Sequence, residues 1–572
     1  MRNQPVRRTG ERGVATLLWL GFLSLVFIIL PMIGLAIDVG FVYSVRAKMQ
    51  AAVDGSALAA ARALNIGQTL ASQEAAAQSN AVTWFNANFP SNFYGIASVT
   101  MGTGNVSVQV DPNNAQLLDV TVSATAQVNT FFMRWFGQNT VTVGATGNAS
   151  RRTVVAMMVL DRSGSMCTGG TAPCDKTKTT LPCYAMINAA KQFTGSFAEG
   201  SDYIGLVSFS DNSYIHTTPV QDFQSVLGYS NSSGSSSGDI DNISCTGGTG
   251  TAEAFSVAYQ ALEQMNLPGA LNIIVLETDG LPNTLTMSFY DSTNKVVGLT
   301  TTGAKASTCQ DLAGKTYKNG GFNTAAVIPA WAGGRSLVSS PFSTFTGPPA
   351  PPYSSIPNYM VGAVASSDPN SGDDFWLMLD YFTTTTANNF NSTTYVNSGG
   401  VSNCEFGNGQ ETTTPNDIAW FPATDVFGNS TNPSYGYQTV TTDAKGHITQ
   451  NGWSNFHNAV LNATDNAAYQ ARTNANIPVT VFTIGLGGNS VNGPPDPVLL
   501  QRMANDPNGD EFNSPAEYQP CAQETDCATW TPTKQVNGTI ANPNGTFVYS
   551  PNSANLGAAF LRISSQVLRL SK

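Results

Sequence analysis

Fourteen residues, Thr153 to Met166 (TVVAMMVLDRSGSM), restrict the fold of this chain more than any other stretch. Seven consecutive apolar residues, Val154 to Leu160, run into a Gly/Ser-rich turn. A run of that length, bounded that way, predicts a strand buried on both faces and is too short for a helix of its own. At its carboxyl end stand Asp161, Ser163 and Ser165, separated by single residues, with Gly164 free to take a tight turn. Three hard oxygen donors then point towards one place. That suits a small divalent cation such as Mg2+, which prefers an octahedral oxygen shell and keeps some of its waters.

Serine and aspartate also crowd ordinary turns, because they hydrogen-bond locally, so the triplet takes its weight from the rest of the chain. Thr249 in GGTGTAEAF opens a helical pattern after paired glycines, and Asp279, followed by Gly280, ends a second apolar run from Asn272. Strand patterns recur at Asp202 to Ser210 (DYIGLVSFS) and Ile477 to Gly487 (IPVTVFTIGLG). In order and spacing these pieces resemble the von Willebrand factor A (vWA) domain. The resemblance implies a metal-ion-dependent adhesion site made of Asp161, Ser163, Ser165, Thr249 and Asp279. It further implies that these residues hold Mg2+, or else Mn2+ or Ca2+, and that an acidic residue of a partner protein completes the shell.

Between the strands, apolar residues recur at helical spacing, as in Cys183, Met186, Ile187, Ala190, Phe193 and Phe197, and again from Ala254 to Met265. Strand alternating with helix predicts an α/β fold, a doubly wound, mostly parallel, Rossmann-like sheet whose ligands bind beyond the carboxyl ends of the strands. Pro497 to Ala504 reads as a short helix and Thr546 to Ser550 as a last strand. Leu556, Phe560, Ile563, Val567 and Leu570 mark the stripe of a closing helix. This domain is expected over 151–572, interrupted by an insertion at about 284–452. The insertion is rich in Thr, Ser, Asn, Gly and Pro, yet carries Phe375, Trp376, Tyr381, Phe382, Trp420 and Phe421. That aromatic content predicts a loop-rich, partly ordered subdomain and not a fully disordered one. Following Asp279, it should emerge on the metal side, as should 167–182 and 230–244, and form a specificity surface for a partner, the alternative being a lid that hides the ion. Deleting 290–445 is expected to leave a folded, metal-binding domain.

The amino terminus sets the compartment. Val14 to Ile37 contains no charged residue, long enough to span a bilayer as a helix. Residues 14–37 are therefore expected to be a transmembrane helix behind a cytoplasmic tail, 1–13, that carries Arg2, Arg7, Arg8 and Arg12. A cleaved signal peptide fits less well, since its apolar core is roughly 7–15 residues. The expectation is a single-pass protein of a bacterial inner membrane with its bulk in the periplasm or outside, and with a kink at Pro31.

Residues 38–150 read as a membrane-proximal α+β module: a helix to Leu64, a second Ala-rich helix over Gln68 to Asn86, then alternation over Ile96–Val110, Leu117–Val128 and Asn139–Ala149. Arg12, Gly13, Asp38, Gln50, Ala52, Asp54, Ala57, Ala59 and Ala60 resemble the TadE/TadG-like amino-terminal region of tight-adherence (Tad/Flp) pilus-assembly proteins. Joined to a vWA domain, that region implies a TadG-like protein that assembles or anchors a pilus, with pilus-assembly components as its partners. Prepilin peptidase cuts after a glycine with glutamate five positions on; here Leu18 follows Gly13 and Ala15 follows Gly10. The chain is thus expected to stay anchored and not to polymerise as a pilin. A surface adhesin gripping host or extracellular-matrix ligands through the same site is the alternative, and neighbouring genes for a secretion ATPase and a prepilin peptidase would favour assembly.

Composition excludes other classes. A net charge of −11 argues against nucleic-acid binding, which needs a basic face. Only 11% of residues are charged, against about 25% in typical globular proteins, so the surface is neutral and polar. The eight cysteines contain no C-x-x-C pair and the three histidines are far apart, which disfavours zinc and favours disulfides in an oxidising compartment. Pairs are expected between Cys521 and Cys527, among Cys167, Cys174 and Cys183, and between Cys309 and Cys404. No catalytic triad can be built from Ser163 or Ser165 and such scattered histidines, so an enzyme is not expected.

Overall fold

The computed structural model describes residues 10–287 and 420–571, except 65, 67–68, 91–92, 94, 211–212, 232–233, 247, 426, 433–436, 450–451, 489–494 and 507–543; between 288 and 419 it describes short segments only. It comprises two units, residues 1–152 with Lys572 and residues 153–571.

The first unit begins as one long helix. α1 (Gly10–Ser24) passes through a π turn, Leu25–Ile29, into α2 (Leu30–Ala63). Pro31 sits in the first turn of α2. It has no N–H and its ring crowds the carbonyl four residues back, and the wider π turn lies where that strain falls. Side chains such as Leu17, Phe27 and Met32 are exposed along the uncharged run. Among the described residues this is the one helix long and apolar enough to cross a membrane. Beyond Asp38 the pattern changes: Val45, Met49, Ala52, Val53, Ala57 and Ala60 form a buried stripe at spacings of three and four. α3 (Leu70–Asn88) starts at Thr69, whose hydroxyl accepts from the Ser72 N–H while the Ser72 hydroxyl accepts from the Thr69 N–H.

Both helices share a core with an antiparallel sheet of β1 (Ile96–Thr100), β2 (Val106–Asp111), β3 (Asn114–Asn129) and β4 (Thr140–Arg152). β3 is its spine, pairing with β4 on one side and with β2 and then β1 on the other. Val120, Val122, Ala124, Ala126 and Val128 face the helices, as the alternation requires. The single strand expected over Ile96–Val110 is two strands, divided by the 3-10 turn Thr103–Asn105.

The second unit is built on a six-stranded sheet. β5 (Val154–Asp161), β6 (Tyr203–Phe209), β8 (Leu271–Thr278), β9 (Thr480–Leu486) and β10 (Phe547–Ser550) run parallel, and β7 (Ser213–Val220) is an antiparallel edge. The order is β10-β9-β8-β5-β6-β7. All eight residues of β5 are buried, because both faces are covered. Val154, Ala156, Met158 and Leu160 pack with α4 (Pro182–Thr194) and the closing helix α9 (Leu556–Leu570). Val155, Met157 and Val159 pack with α6 (Thr251–Met265), α7 (Gly452–Thr473) and α8 (Pro497–Ala504). Phe193 and Phe560 meet edge-on at 6.0 Å. Leu570, expected in the closing stripe, is exposed.

Three sequence expectations are corrected here. First, the insertion does not extend to about 452. Asn455, Asn458, Asn462, Asn466 and Gln470 lie along one face of α7 and bind the backbone of residues 428–441 with their amides. Examples are Gln438 N–H to Asn462 Oδ1 (2.8 Å) and Asn458 Nδ2 to the Thr439 carbonyl (2.8 Å). Phe421 is buried against Phe456, 5.8 Å between ring centres. Deleting 290–445 would strip this segment from α7, so the expected tolerance applies to a narrower span. Phe289 pairs with Val297 and Tyr290 with Trp420, so the chain leaves and re-enters the same small sheet. Replacing 298–419 by a short Gly/Ser linker should therefore cost the second unit no more than about 2 kcal/mol in urea unfolding, since closure depends weakly on loop length. A larger loss would make those residues part of the core.

Second, 230–244 does not emerge wholly on the metal side. α5 (Phe223–Leu227) follows the antiparallel edge strand, and the hairpin Tyr229–Asn231/Gly234–Ser236 lies against the carboxyl end of α4, where a Cβ on Gly195 would meet the Ser230 carbonyl at 2.9 Å. The chain then climbs along α4, past the Lys191–Asp241 ion pair (3.2 Å), to reach the other edge. Third, Cys167 pairs with Cys174 as expected, but Cys183 pairs with Cys245. Antiparallel pairing of Cys174–Asp175 with Ser244–Cys245 brings Cys245 to the start of α4. Cys309, Cys521 and Cys527 lie outside the described residues.

Candidate metal centre

The five residues singled out in the sequence come together at the carboxyl edge of β5 and β8, neighbours at the centre of the sheet. Asp161 ends β5 and is fully buried. Its Oδ1 accepts the Ser163 N–H at 2.7 Å, which bends the chain into the 3-10 turn Gly164–Cys167. That turn brings the Ser163 and Ser165 hydroxyls within 2.7 Å of each other, and Ser165 donates to Asp279 Oδ1 at 2.5 Å. Thr249 arrives on the loop before α6, held by reciprocal bonds with Asn283: its N–H to Asn283 Oδ1 (2.6 Å) and the Asn283 N–H to its carbonyl (2.9 Å). Ser165 Oγ and Thr249 Oγ1 flank Gly280, where a Cβ would lie 3.5 and 3.7 Å from them.

Three carboxyls crowd the same spot, each out of water. Burial pushes the Asp161 carboxyl up from its ordinary value. Burial first, and then repulsion from Asp161, holds Asp279 well above the usual carboxylate range. Glu277, fully buried one residue earlier on the same strand as Thr278, is raised well above its range by burial and by both aspartates. Gathering acidic groups where each disfavours the ionisation of the next costs stability, and a bound positive charge offsets that cost. The donors are all oxygens of Asp, Ser and Thr, the chemistry that suits Mg2+, Mn2+ or Ca2+ and not the sulfur and imidazole sets of zinc. Cys174, Cys183 and Cys245 do bring their sulfurs within 4.8 Å of one another, but all three are disulfide-bonded and offer no thiolate.

Three contributors escaped the sequence reading. Thr278 donates to Asp161 Oδ2 at 2.6 Å and so fixes the second carboxylate oxygen. Asn283 fixes the Thr249 loop, and Glu277 adds a third buried carboxyl whose ionisation burial and the two aspartates oppose. Only their adjacency to Asp279 in LETDGLPN could have signalled them. Thr278→Val keeps the shape and removes the hydroxyl, so it should weaken divalent-ion affinity by about 10–100-fold in calorimetric titration, the usual loss when a ligand's orienting partner goes. An unchanged affinity would show that Asp161 needs no such support. The scattered histidines also conceal a contact: Ser208 Oγ lies 2.7 Å from His216 Nε2. Both are buried, and burial holds the imidazole down to about 3, so the pair is a neutral core hydrogen bond.

Residues 156–281 match the profile of the von Willebrand factor type A domain, and residues 13–63 that of Flp pilus-assembly TadE/G-like proteins. The chain thus joins a TadE/G-like amino-terminal region to a vWA domain. The first match spans all five candidate ligands and the second spans the long helix through Asp38. No curated protein matches this chain. Among solved structures it is similar to the PilB minor pilin from Streptococcus sanguinis, at 11% identity over 84% of this chain and 80% of that one, TM-score 0.29. It is also similar to the vWF domain of the type V pili tip protein Mfa5 from Porphyromonas gingivalis (14%, 74% and 98%, TM-score 0.30). A third is the pilus adhesin SpaC from Lactobacillus rhamnosus GG (12%, 82% and 34%, TM-score 0.29).

Proposed function

We propose that this TadG-like chain is a membrane-anchored envelope protein that acts in assembling or anchoring a Tad/Flp-type pilus and binds protein partners through a divalent cation held by Asp161, Ser163, Ser165, Thr249 and Asp279. The observation that carries the reading is the convergence of those five side chains at one edge of the sheet, in a chain whose amino terminus matches the TadE/G-like profile. Bound there, the cation supplies a coordination position that an aspartate or glutamate of the partner can fill. Asp161 and Asp279 bring the charge, Thr278 and Asn283 keep the donors aimed, and the serine hydroxyls bond within the site, which serves binding and not turnover. The uncharged run 14–37 spans the inner membrane once, with the arginine-rich tail in the cytoplasm and both units outside it.

The test is capture from detergent-solubilised envelopes by the full-length chain, in Mg2+ and in EDTA, with bound proteins identified by mass spectrometry. Pilus-assembly components should be recovered in Mg2+ and lost in EDTA. Identical recovery in both would remove the cation from the mechanism.

A further inference from the structure

Where α2 leaves the uncharged run, the loop between β3 and β4 is fastened to it. Both oxygens of Asp38, a side chain only 1% exposed, accept backbone N–H groups of successive loop residues. Oδ1 takes Phe131 at 2.8 Å, and Oδ2 takes Phe132 at 2.8 Å and Met133 at 2.7 Å. One turn earlier on the helix, Phe132 lies against Gly34, where a Cβ would come within 2.5 Å of the ring. One turn later, Phe41 meets Phe131 edge-on at 5.6 Å and covers Gly95, which opens β1 with φ +79°. The loop is thereby held level with residues 34–41, about 10 Å of helix axis.

What the loop displays is apolar. In FFMRWF, Phe131 and Phe132 are 38% and 42% exposed, Trp135 is 82% and Phe136 is 76% exposed. Four aromatics in six residues, in a chain that is 10% aromatic, form a patch that water does not favour. Side chains with an apolar body and a polar or quadrupolar edge collect at the headgroup level of bilayers. The height of the loop matches that level, since the lipid-compatible run ends at Ile37 and the loop is pinned across this point by Gly34, Asp38 and Phe41. Arg134, exposed in the same loop, is placed for lipid phosphates.

We propose that residues 131–136 are a second membrane anchor, seated in the headgroup layer of the leaflet from which Asp38 emerges, with Trp135 and Phe136 inserted. This rests on the reading of 14–37 as a spanning helix. Two attachments, one through the bilayer and one at its surface, fix how the first unit is rotated about the helix axis, which a single helix would leave free.

The experiment uses the full-length chain reconstituted in phosphatidylcholine vesicles whose acyl chains are brominated near the headgroup or deep in the core. The chain has eight tryptophans, so the Trp135 emission is taken as the difference between the parent and Trp135→Phe. That difference should be quenched more by the shallow bromines than by the deep ones, and little by acrylamide. Asp38→Asn, which weakens the clamp, should shift it towards acrylamide quenching. Quenching of Trp135 by acrylamide in the parent overturns the proposal. So does shielding from both quenchers with crosslinking between chains, which would make a second copy the occupant. Flotation of the vesicles at alkaline pH separates the two readings: a chain that washes off refutes the spanning helix and the anchor together, whereas one that floats with Trp135 in water refutes the anchor alone.

Discussion

Asp161→Ala should abolish divalent-ion binding, and with it every ion-dependent property of the chain. The carboxylate is bonded on one oxygen by the Ser163 N–H and on the other by Thr278, so its removal unfastens the turn that presents both serines. In the parent, ion at one hundred times its dissociation constant should stabilise the second unit by about 2.7 kcal/mol. For a unit of this size that is a rise of several degrees in the melting temperature, on the order of 2–4 °C per kcal/mol. In the variant the rise should vanish. Without added ion the expectation reverses. Asp161 and Asp279 both have folded-state pKa values raised above their unfolded ones, so the empty site destabilises the fold at neutral pH. Stability is then gained as pH falls through those raised values, and is level below the unfolded ones. Asp161→Asn, which removes the buried charge, should therefore be at least as stable as the parent in EDTA at pH 7. In the parent, acidification should weaken ion binding over the same range, because protons compete for the same oxygens. Calorimetric scans in Mg2+ and in EDTA at pH 7 and 5 read all of this. An ion-dependent shift that survives in Asp161→Ala would place the cation elsewhere.

The legibility of this chain in its sequence follows the range of the forces involved. β5 and β8 could be located because burial on both faces demands unbroken apolar runs, and the five candidate ligands stand at the ends of such runs or at a helix start. Their assembly needed only the rule that parallel strands deliver their carboxyl ends to one edge. The long helix was legible for the same reason, since a bilayer imposes a length and forbids charge. What stayed hidden depends on polar pairing between distant segments, which leaves no periodicity in the partner. The amide face of α7, Asn455 to Gln470, has helical spacing, but nothing in residues 428–441 announces that it will be bound by them. Asp38 could be matched to a motif, yet its three bonds to the 131–133 backbone span more than ninety positions. The pairing of Cys183 with Cys245 likewise waited on two short strands, 174–175 and 244–245, too brief to carry an alternation signal.

Removing that disulfide is the other large effect expected, and its size follows from the chain it closes. Cys183 and Cys245 are 62 residues apart, Cys167 and Cys174 only 7. Loop-closure entropy assigns about 4 kcal/mol to the first and about 2 kcal/mol to the second. Cysteines should be replaced in pairs, because the sulfurs of Cys174, Cys183 and Cys245 lie within 4.8 Å of one another and a lone thiolate could attack the neighbouring disulfide. The double replacement Cys183→Ser with Cys245→Ser should then lower the unfolding free energy of the second unit by roughly twice as much as Cys167→Ser with Cys174→Ser. It should also weaken ion binding, which chain entropy alone does not require. Thr246 follows Cys245 directly and donates its N–H to the Arg162 carbonyl at 2.6 Å, so this disulfide steadies the approach to Thr249 on one side and the Asp161 turn on the other. Urea unfolding in EDTA isolates the entropic part, and titration with Mg2+ isolates the positional part. Equal destabilisation by the two double replacements would refute the loop-length account. A large stability loss with unchanged affinity would confine the Cys183–Cys245 disulfide to holding the fold, and leave the aiming of the Thr249 loop to Asn283 and to the backbone bonds of Thr246 and Gly250.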